Sequence, residues 1–101
     1  MSLLRVVTYD GDEMTDEQFE AWDAIIGAHL RNSPDCIQAR AAVSGGRTLV
    51  VSEWVNEEAY RAEMTSAAYE AALQDIMTKL SLPAELEPSF LFEGEVKASV
   101  S

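Results

Sequence analysis

The sequence contains very little of several residue types that would point to a particular chemistry. One Cys and one His in 101 residues exclude an internal disulfide and are too few for a structural zinc site. Only seven Lys and Arg residues stand against 18 Asp and Glu, which gives a formal net charge of −11. So few basic residues, spread from Arg5 to Lys97, cannot form the basic surface that nucleic-acid backbones and anionic membranes attract. We therefore expect neither nucleic acid nor a membrane as a partner.

Long apolar runs are missing as well. The segment from Met1 to Arg5 has neither the charged region nor the long hydrophobic region of a signal peptide, so we expect a cytoplasmic protein. What the chain does contain is 48% hydrophobic residues, including three Phe, three Tyr and two Trp, which is enough apolar surface to form a core. The length suits one domain, residues 1–101, with 97–101 as a frayed tail.

The residue pattern predicts six elements in the order β-α-β-β-α-β. Apolar and β-branched runs predict strands at 3–9, 36–44, 47–55 and 90–96, and Gly45-Gly46 predicts a tight hairpin turn between the middle two. Thr15 and Gln18 have the spacing of a capping box, and the apolar stripe that follows indicates a helix of about four turns. A second helix begins after Asn56, and its apolar stripe changes phase at Thr65-Ser66, which predicts a break there.

This element order is that of the α+β class with a ferredoxin-like fold, in which an antiparallel sheet carries both helices on one face. The first strand is apolar in both registers, with Leu3 and Val7 on one and Leu4 and Val6 on the other, so the second face also needs a cover. Two such sheets packed face to face would supply it, and we expect a homodimer that forms a dimeric α+β barrel. The charged strand residues expected to pair across or around that contact are Arg5, Arg40, Glu53 and Glu93.

One part of the chain resembles a known family. Val51 to Tyr60 reads Val-Ser-Glu-Trp-Val-Asn-Glu-Glu-Ala-Tyr, and Thr65 to Tyr69 reads Thr-Ser-Ala-Ala-Tyr. This segment resembles the antibiotic biosynthesis monooxygenase family of dimeric α+β barrels, which typically shows a strand ending in Trp, an acidic helix start and a short Ser-x-Ala segment. The resemblance in element order spans Leu3 to Val96. It implies a homodimer with a small pocket between each sheet and its helices.

The resemblance also implies a type of chemistry. Members include cofactor-free monooxygenases of polycyclic phenolic substrates, in which a deprotonated, electron-rich substrate transfers an electron to O₂ itself. The iron-ligating His of the heme-degrading relatives is replaced here by Leu73, and the segment from Arg5 to Tyr9 lacks the Asn of their first strand. The resemblance therefore favours an enzyme that needs no cofactor or metal and that acts on an aromatic or quinol-like small molecule.

Six residues are candidates for that pocket. His29 is the only side chain whose ordinary pKa lies near neutral pH, and it falls within the apolar arc of the first helix, where it could take a phenolic proton as the catalytic base. Trp54 matches the pocket position of the family. The residues expected to bind substrate are Trp54, Trp22, Tyr60, Tyr69 and Met64.

Each candidate also fits a purely structural role. His29 suits a boundary position with a hydrogen bond to a backbone carbonyl near the helix end. The aromatic residues suit a core in which their polar atoms find partners nearby, and Met64 suits a gap-filling position. A non-catalytic small-molecule-binding or structural dimer of the same fold is therefore the alternative hypothesis. An isomerase or decarboxylase on the same barrel also stays open, because a fold does not determine a reaction.

Overall fold

The computed structural model describes residues 2–10, 15–80 and 88–98. Within these ranges the strands and helices follow the predicted order. Strands β1 to β4 span Leu3–Asp10, Cys36–Ser44, Arg47–Trp54 and Phe90–Glu95. The helical segments are α1 (Asp16–Trp22), a π-helical segment (Asp23–Gly27), α2 (Ala28–Arg31), α3 (Glu57–Met64) and α4 (Ala67–Leu80).

The strands form one antiparallel sheet in the order β2-β3-β1-β4. Leu3 of β1 pairs with Trp54 of β3 on one side and with Glu95 of β4 on the other. Gly45 and Gly46 both have positive φ angles, 57° and 76°, which is the geometry that a two-residue hairpin turn requires. The predicted α+β ferredoxin-like fold with an antiparallel sheet is confirmed, whereas its assembly into a dimeric barrel stays a prediction.

The predicted helix boundaries are set by local side-chain caps. The Thr15 hydroxyl accepts a hydrogen bond from the Gln18 backbone N–H at 3.1 Å, and the Gln18 side chain accepts one from the Thr15 N–H at 2.8 Å. Asn56 accepts from the Ala59 N–H at 2.7 Å at the start of α3. The break between α3 and α4 is confirmed, and the Ser66 hydroxyl accepts from the Tyr69 N–H at 3.1 Å beyond it. Each such cap stabilises its helix by about 1 kcal/mol.

The first helical region is less regular than the sequence pattern predicts, because Asp23–Gly27 is π-helical. This segment places Ala28 and His29 one residue out of the phase that an uninterrupted α-helix would give them. The side chain of Arg31 reaches back over it and donates to Asp23 Oδ1 at 2.7 Å. Gly27 leaves room for that pair, since a Cβ at this position would collide with the Asp23 carboxylate.

The helices pack on the face of the sheet that carries Leu3 and Trp54. The buried core residues there are Leu3, Ile26, Leu30, Trp54, Tyr60 and Ile76. Arg5 and Glu93 also lie on this face. Arg5 is two residues after Leu3 on β1, so its side chain points to the same side of the sheet, and Glu93 is its partner on β4. The expectation that these two residues pair around the opposite, sheet-to-sheet face is therefore wrong: they pair on the helix side. Arg40 and Glu53 do lie on the opposite face.

That opposite face, which we call the open face, is apolar. It carries Leu4, Val6, Leu49, Val51, Phe90 and Phe92. The two phenylalanines are 55% and 50% exposed. The Phe92 ring lies over Gly94, where a Cβ would approach it to 2.9 Å.

Lys97 and Ala98, at the start of the predicted tail, are exposed and lie outside any strand or helix, while residues 99–101 fall outside the described ranges. The assignment of residues 1–101 to a single domain stays a prediction. In the part of the chain that the structure describes, none of the helices has the length and apolar character needed to cross a membrane.

Candidate functional site

A group of polar side chains lies between the sheet and the helices around Tyr69. Tyr69 lies near the start of α4, and its neighbours come from both the sheet and the layer of helices. Strands β1 and β4 contribute one residue each, and helices α2 and α3 contribute the rest. We call this group the Tyr69 cluster, and its members are Arg5, His29, Tyr60, Glu63, Tyr69 and Glu93.

The pairing of His29 with Glu63 is the most chemically suggestive contact of the cluster. Nε2 of His29 is hydrogen-bonded to Oε1 of Glu63, and the two side chains retain 20% and 22% exposure. When Nε2–H donates to the carboxylate, Nδ1 holds the lone pair and accepts a proton. The His29 ring also lies 5.6 Å from the Tyr69 ring, at an angle of 53°. The pair therefore has the arrangement of a base that a carboxylate orients.

Glu63 is absent from the residues predicted for the site. A signal for it exists in the sequence, because it lies three residues after Tyr60 and next to Met64, and such spacing places it near the inner face of α3. The sequence does not show how α3 lies relative to α2. That arrangement makes the Glu63 carboxylate, and not a backbone carbonyl, the partner of His29.

The two tyrosines of the cluster remain protonated at neutral pH. Burial raises the pKa of Tyr69, and Glu63 and Tyr9 act in the same direction, while the charge of Arg5 partly opposes the increase. Burial also raises the pKa of Tyr60, with Arg5 again opposing it and Glu93 reinforcing it. The Tyr60 hydroxyl already donates a hydrogen bond to Glu93. The Tyr69 hydroxyl also keeps its proton and can donate a hydrogen bond to an anionic oxygen.

Charged groups surround the Tyr60 ring. The guanidinium groups of Arg5 and Arg61 lie 5.5 Å and 5.7 Å from the ring centroid. Both arginines also pair with Glu93, whose carboxylate is 3.7 Å from Arg5 Nε and 3.1 Å from Arg61 Nη2. Arg61 is 58% exposed, so solvent screens its pair, whereas Arg5 is 23% exposed. The positive charge at the inner end of this network is therefore that of Arg5.

Trp54 packs in the core beside the cluster. Its side chain is 1% exposed, and its indole N–H donates to the Ser52 hydroxyl at 3.1 Å. The Tyr60 ring meets it edge-on at 5.5 Å. Substrate binding by Trp54 and Tyr60 stays a prediction, and the contacts observed for both rings are those of well-packed core residues.

Trp22 and Met64 occupy different surroundings. Both pack, half-buried, against the core. Trp22 also lines a shallow cleft of about 200 Å³ between the first helical region and β2, together with Leu30, Arg31 and Ala39. None of the other candidate residues lines that cleft. The fold thus brings His29 and Tyr69 together and joins Trp54 to Tyr60, but it leaves Trp22 at a separate surface.

The structure also bears on a metal site and on a reactive cysteine. The described residues include no group of three or more His, Cys, Asp and Glu side chains arranged to hold a metal ion. Cys36 is half-buried at the start of β2, and burial raises the pKa of its thiol. A raised pKa disfavours the nucleophilic thiolate at neutral pH.

Comparison with known proteins gives similarity at the level of the fold. No family model matches the sequence, and no curated protein matches it. SnoaB, a cofactor-independent oxygenase from Streptomyces nogalater, is similar in structure with a TM-score of 0.71 and 8% identity, over 98% of this chain and 96% of that one. The monooxygenase of the gene ActVA-Orf6 from Streptomyces coelicolor, in complex with nanaomycin D, has a TM-score of 0.68 and 20% identity, over 99% and 91% of the two chains.

A third similar structure comes from Caulobacter crescentus and is described as an antibiotic biosynthesis monooxygenase. Its TM-score is 0.71 and its identity is 16%, over 96% of this chain and 91% of that one. Identities this low, over nearly complete chains, establish the fold alone. The fold that the sequence resemblance implies is confirmed: this chain has the fold of the antibiotic biosynthesis monooxygenases.

Proposed function

We propose that this chain forms a homodimer in which each subunit is a cofactor-independent oxygenase of an aromatic or quinol-like small molecule. The observation that carries the proposal is the pair of His29 and Glu63 beside the Tyr69 ring, on the helix-covered face of the sheet. Two proteins of the same fold support the proposed activity, since one is a cofactor-independent oxygenase and the other is a monooxygenase in complex with nanaomycin D.

The reaction begins with loss of a proton from an acidic substrate. Nδ1 of His29 accepts that proton, and the carboxylate of Glu63 stabilises the imidazolium that results. The substrate anion transfers one electron to O₂, and the substrate radical and superoxide combine through a new carbon–oxygen bond to give a peroxide anion. The imidazolium of His29 returns its proton to this anion, which gives a hydroperoxide. Loss of water from the hydroperoxide leaves a carbonyl group, so that a CH₂ group and O₂ become C=O and H₂O. O₂ is the only oxidant that these reaction steps require.

The surroundings of His29 suit the first step. The hydroxyl of Tyr69 stays protonated at neutral pH because burial raises its pKa, so it can donate a hydrogen bond to a substrate oxyanion. A half-buried location strengthens such interactions relative to bulk water. The side chains of His29 and Glu63 nevertheless keep a fifth of their surface exposed, which leaves them within reach of a small molecule.

The alternative is a binding or structural dimer without chemistry, and one observation favours it. Trp54 and Tyr60 are almost completely buried against each other, as expected of residues that fill a core. In that case the contact between His29 and Glu63 would only join α2 to α3.

Oxygen uptake separates the two functions. With a panel of quinols and anthrones, the purified protein is expected to increase O₂ consumption above the rate of spontaneous oxidation, and the product is expected to carry one new carbonyl oxygen derived from ¹⁸O₂. Pre-treatment with a metal chelator serves as the control and should leave the rate unchanged. A folded protein that leaves every substrate of the panel at its spontaneous rate would contradict the oxygenase and favour the binding function.

The homodimer is proposed from the open face. Half-exposed Phe90 and Phe92 stand there beside Val6 and Val51, and an apolar sheet face of this kind is normally covered. A second copy of the same face is a self-complementary cover, because a two-fold axis places the same residues on both sides.

The variant Phe92→Lys is expected to be monomeric at micromolar concentration, because it buries a charge in the proposed contact. Native mass spectrometry and light scattering should give the dimer mass for the unmodified chain and the monomer mass for the variant. Leu91→Lys is the matched control: it makes the same charge change at the neighbouring position, which is 49% exposed and points to the other face. A monomeric unmodified chain, or a dimer that survives Phe92→Lys, would refute this contact.

A further inference from the structure

The break between α3 and α4 lies beside His29, and the residues on its two sides both contact that imidazole. Glu63, in the last turn of α3, is hydrogen-bonded to His29 Nε2. The ring of Tyr69, in the first turn of α4, lies 5.6 Å from the His29 ring. Side chains from α2, α3 and α4 therefore meet at one point.

An uninterrupted helix would direct these two residues to different sides. Glu63 and Tyr69 are six residues apart in the chain. In a continuous α-helix such residues point about 120° apart and lie about 9 Å apart along the axis. The helix is interrupted at Thr65, whose φ and ψ angles are −101° and 3°. The shared contact with His29 therefore depends on the geometry of the break.

One hydroxyl joins the two sides of the break. Oγ of Ser66 donates to the backbone carbonyl of Glu63 at 2.8 Å, and it accepts from the backbone N–H of Tyr69 at 3.1 Å. A hydroxyl can do both, because it has one hydrogen and two acceptor lone pairs. The backbone N–H of Ser66 also donates to the Glu63 carbonyl, at 3.1 Å. Ser66 thus fixes the backbone of the two residues whose side chains contact His29.

We propose that Ser66 is a positioning residue of the oxygenase. Its hydroxyl holds Glu63 and Tyr69 on the two sides of the break so that both contact His29. This inference rests on the proposed function, because it takes His29 as the base. If Ser66 served only as the cap of α4, its loss would cost about 1 kcal/mol of stability and would leave the surroundings of His29 unchanged.

The first measurement needs no substrate. His29 is the only histidine of the chain, so the imidazole signals in an NMR spectrum of ¹⁵N-labelled protein belong to it. In the unmodified protein the Nε2–H proton is expected to give a resolved signal, because its hydrogen bond to Glu63 slows exchange with water. Ser66→Ala should abolish this signal, because the Glu63 carboxylate is then no longer held at the ring. Ser66→Thr keeps the hydroxyl and should restore it.

The second measurement is the rate of O₂ uptake. Ser66→Ala is expected to lower kcat by about tenfold, because a base whose partners are displaced is poorly oriented for proton transfer. KM should change little, since the base acts mainly in the transition state. Ser66→Thr should again restore the unmodified value.

Thr15→Ala is the matched control. The Thr15 hydroxyl also accepts from an N–H three residues later at 3.1 Å, but it caps α1, away from the break. Its loss should lower the melting temperature about as much as Ser66→Ala does, and it should leave kcat and the His29 signal unchanged. If Ser66→Ala does not fold, Ser66→Asn decides. Its amide oxygen can accept from Tyr69 and preserve the cap, but that oxygen has no hydrogen for the Glu63 carbonyl, so the His29 signal should still be lost.

Three results would overturn the inference: a His29 signal that persists in the folded Ser66 variants without the hydroxyl, an equal loss of that signal in Thr15→Ala, or an unmodified protein that lacks the signal. The two proposals can fail separately. A His29 signal that depends on Ser66, in a protein without O₂ uptake, would contradict the oxygenase but not the positioning role. O₂ uptake at the unmodified kcat in Ser66→Ala would contradict the positioning role but not the oxygenase.

Discussion

Replacement of His29 by Gln is expected to lower kcat for any substrate that the protein oxidises by about 100-fold or more, which is the usual contribution of a general base. Gln can still donate a hydrogen bond to Glu63, so the contact between α2 and α3 is retained while the proton acceptor is lost. KM should change little, because the base acts mainly in the transition state. Initial rates of O₂ uptake, together with a thermal unfolding curve, provide the measurement.

Glu63→Gln is the companion variant. It keeps a hydrogen-bond partner for His29 Nε2 but removes the negative charge that stabilises the imidazolium. We expect a smaller loss of kcat than for His29→Gln, because the imidazole that takes the proton is retained and only the charge that stabilises its protonated form is lost. If His29→Gln lowers the melting temperature but leaves kcat unchanged, His29 is a structural residue and the base must be sought elsewhere.

The second large effect concerns Trp54, whose replacement by Ala is expected to lower the free energy of unfolding by about 3–5 kcal/mol. The folded state of a domain of this size is stable by about 5–15 kcal/mol in total, so the variant is expected to unfold near room temperature in mild denaturant. The indole is 1% exposed, and its removal leaves a cavity against Tyr60 and an unpaired hydroxyl on Ser52. Urea unfolding, followed by circular dichroism, measures the loss.

Trp22→Ala is the matched control for Trp54. The same side-chain truncation is made at a half-buried residue that lines the open cleft beside β2, so the loss should stay below about 3 kcal/mol. Trp54→Phe should recover most of the stability because it refills the cavity. A loss below about 1 kcal/mol for Trp54→Ala would mean that the indole borders space open to a ligand, and would revive its role as a pocket wall.

Most of the fold could be predicted because its signals are local. Thr15, Asn56 and Ser66 cap helices through atoms three residues away, and Gly45 and Gly46 permit the positive φ angles of a hairpin turn. The phase change at Thr65 likewise depends on neighbouring residues alone. The π-helical segment at Asp23–Gly27 was not predicted, because the spacing of apolar residues does not reveal a shift of one residue within a helix.

The candidate site could be predicted only in part. His29 and Tyr69 stand out by residue type and periodicity, and the structure does bring their rings together. Glu63 was missed, because its position at His29 depends on how α3 packs beside α2. Arg5 and Glu93 were expected among four charged residues that pair around the sheet-to-sheet contact, but they pair on the helix side, since alternation along a strand does not say which of two apolar faces the helices cover.

The order of the elements, their caps and turns, and the presence of two apolar sheet faces could all be predicted from the residues alone. These follow from interactions over a few residues and from the period of the side chains. Three features come from the packing of the elements: Arg5 is on the helix side with a donor that has no partner among the described residues, Glu63 rather than a backbone carbonyl meets His29, and Trp22 lies apart from the other candidates. Those outcomes depend on strand register and on helix packing. Both bring together residues far apart in the chain, so they cannot be recognised in any short segment of the sequence.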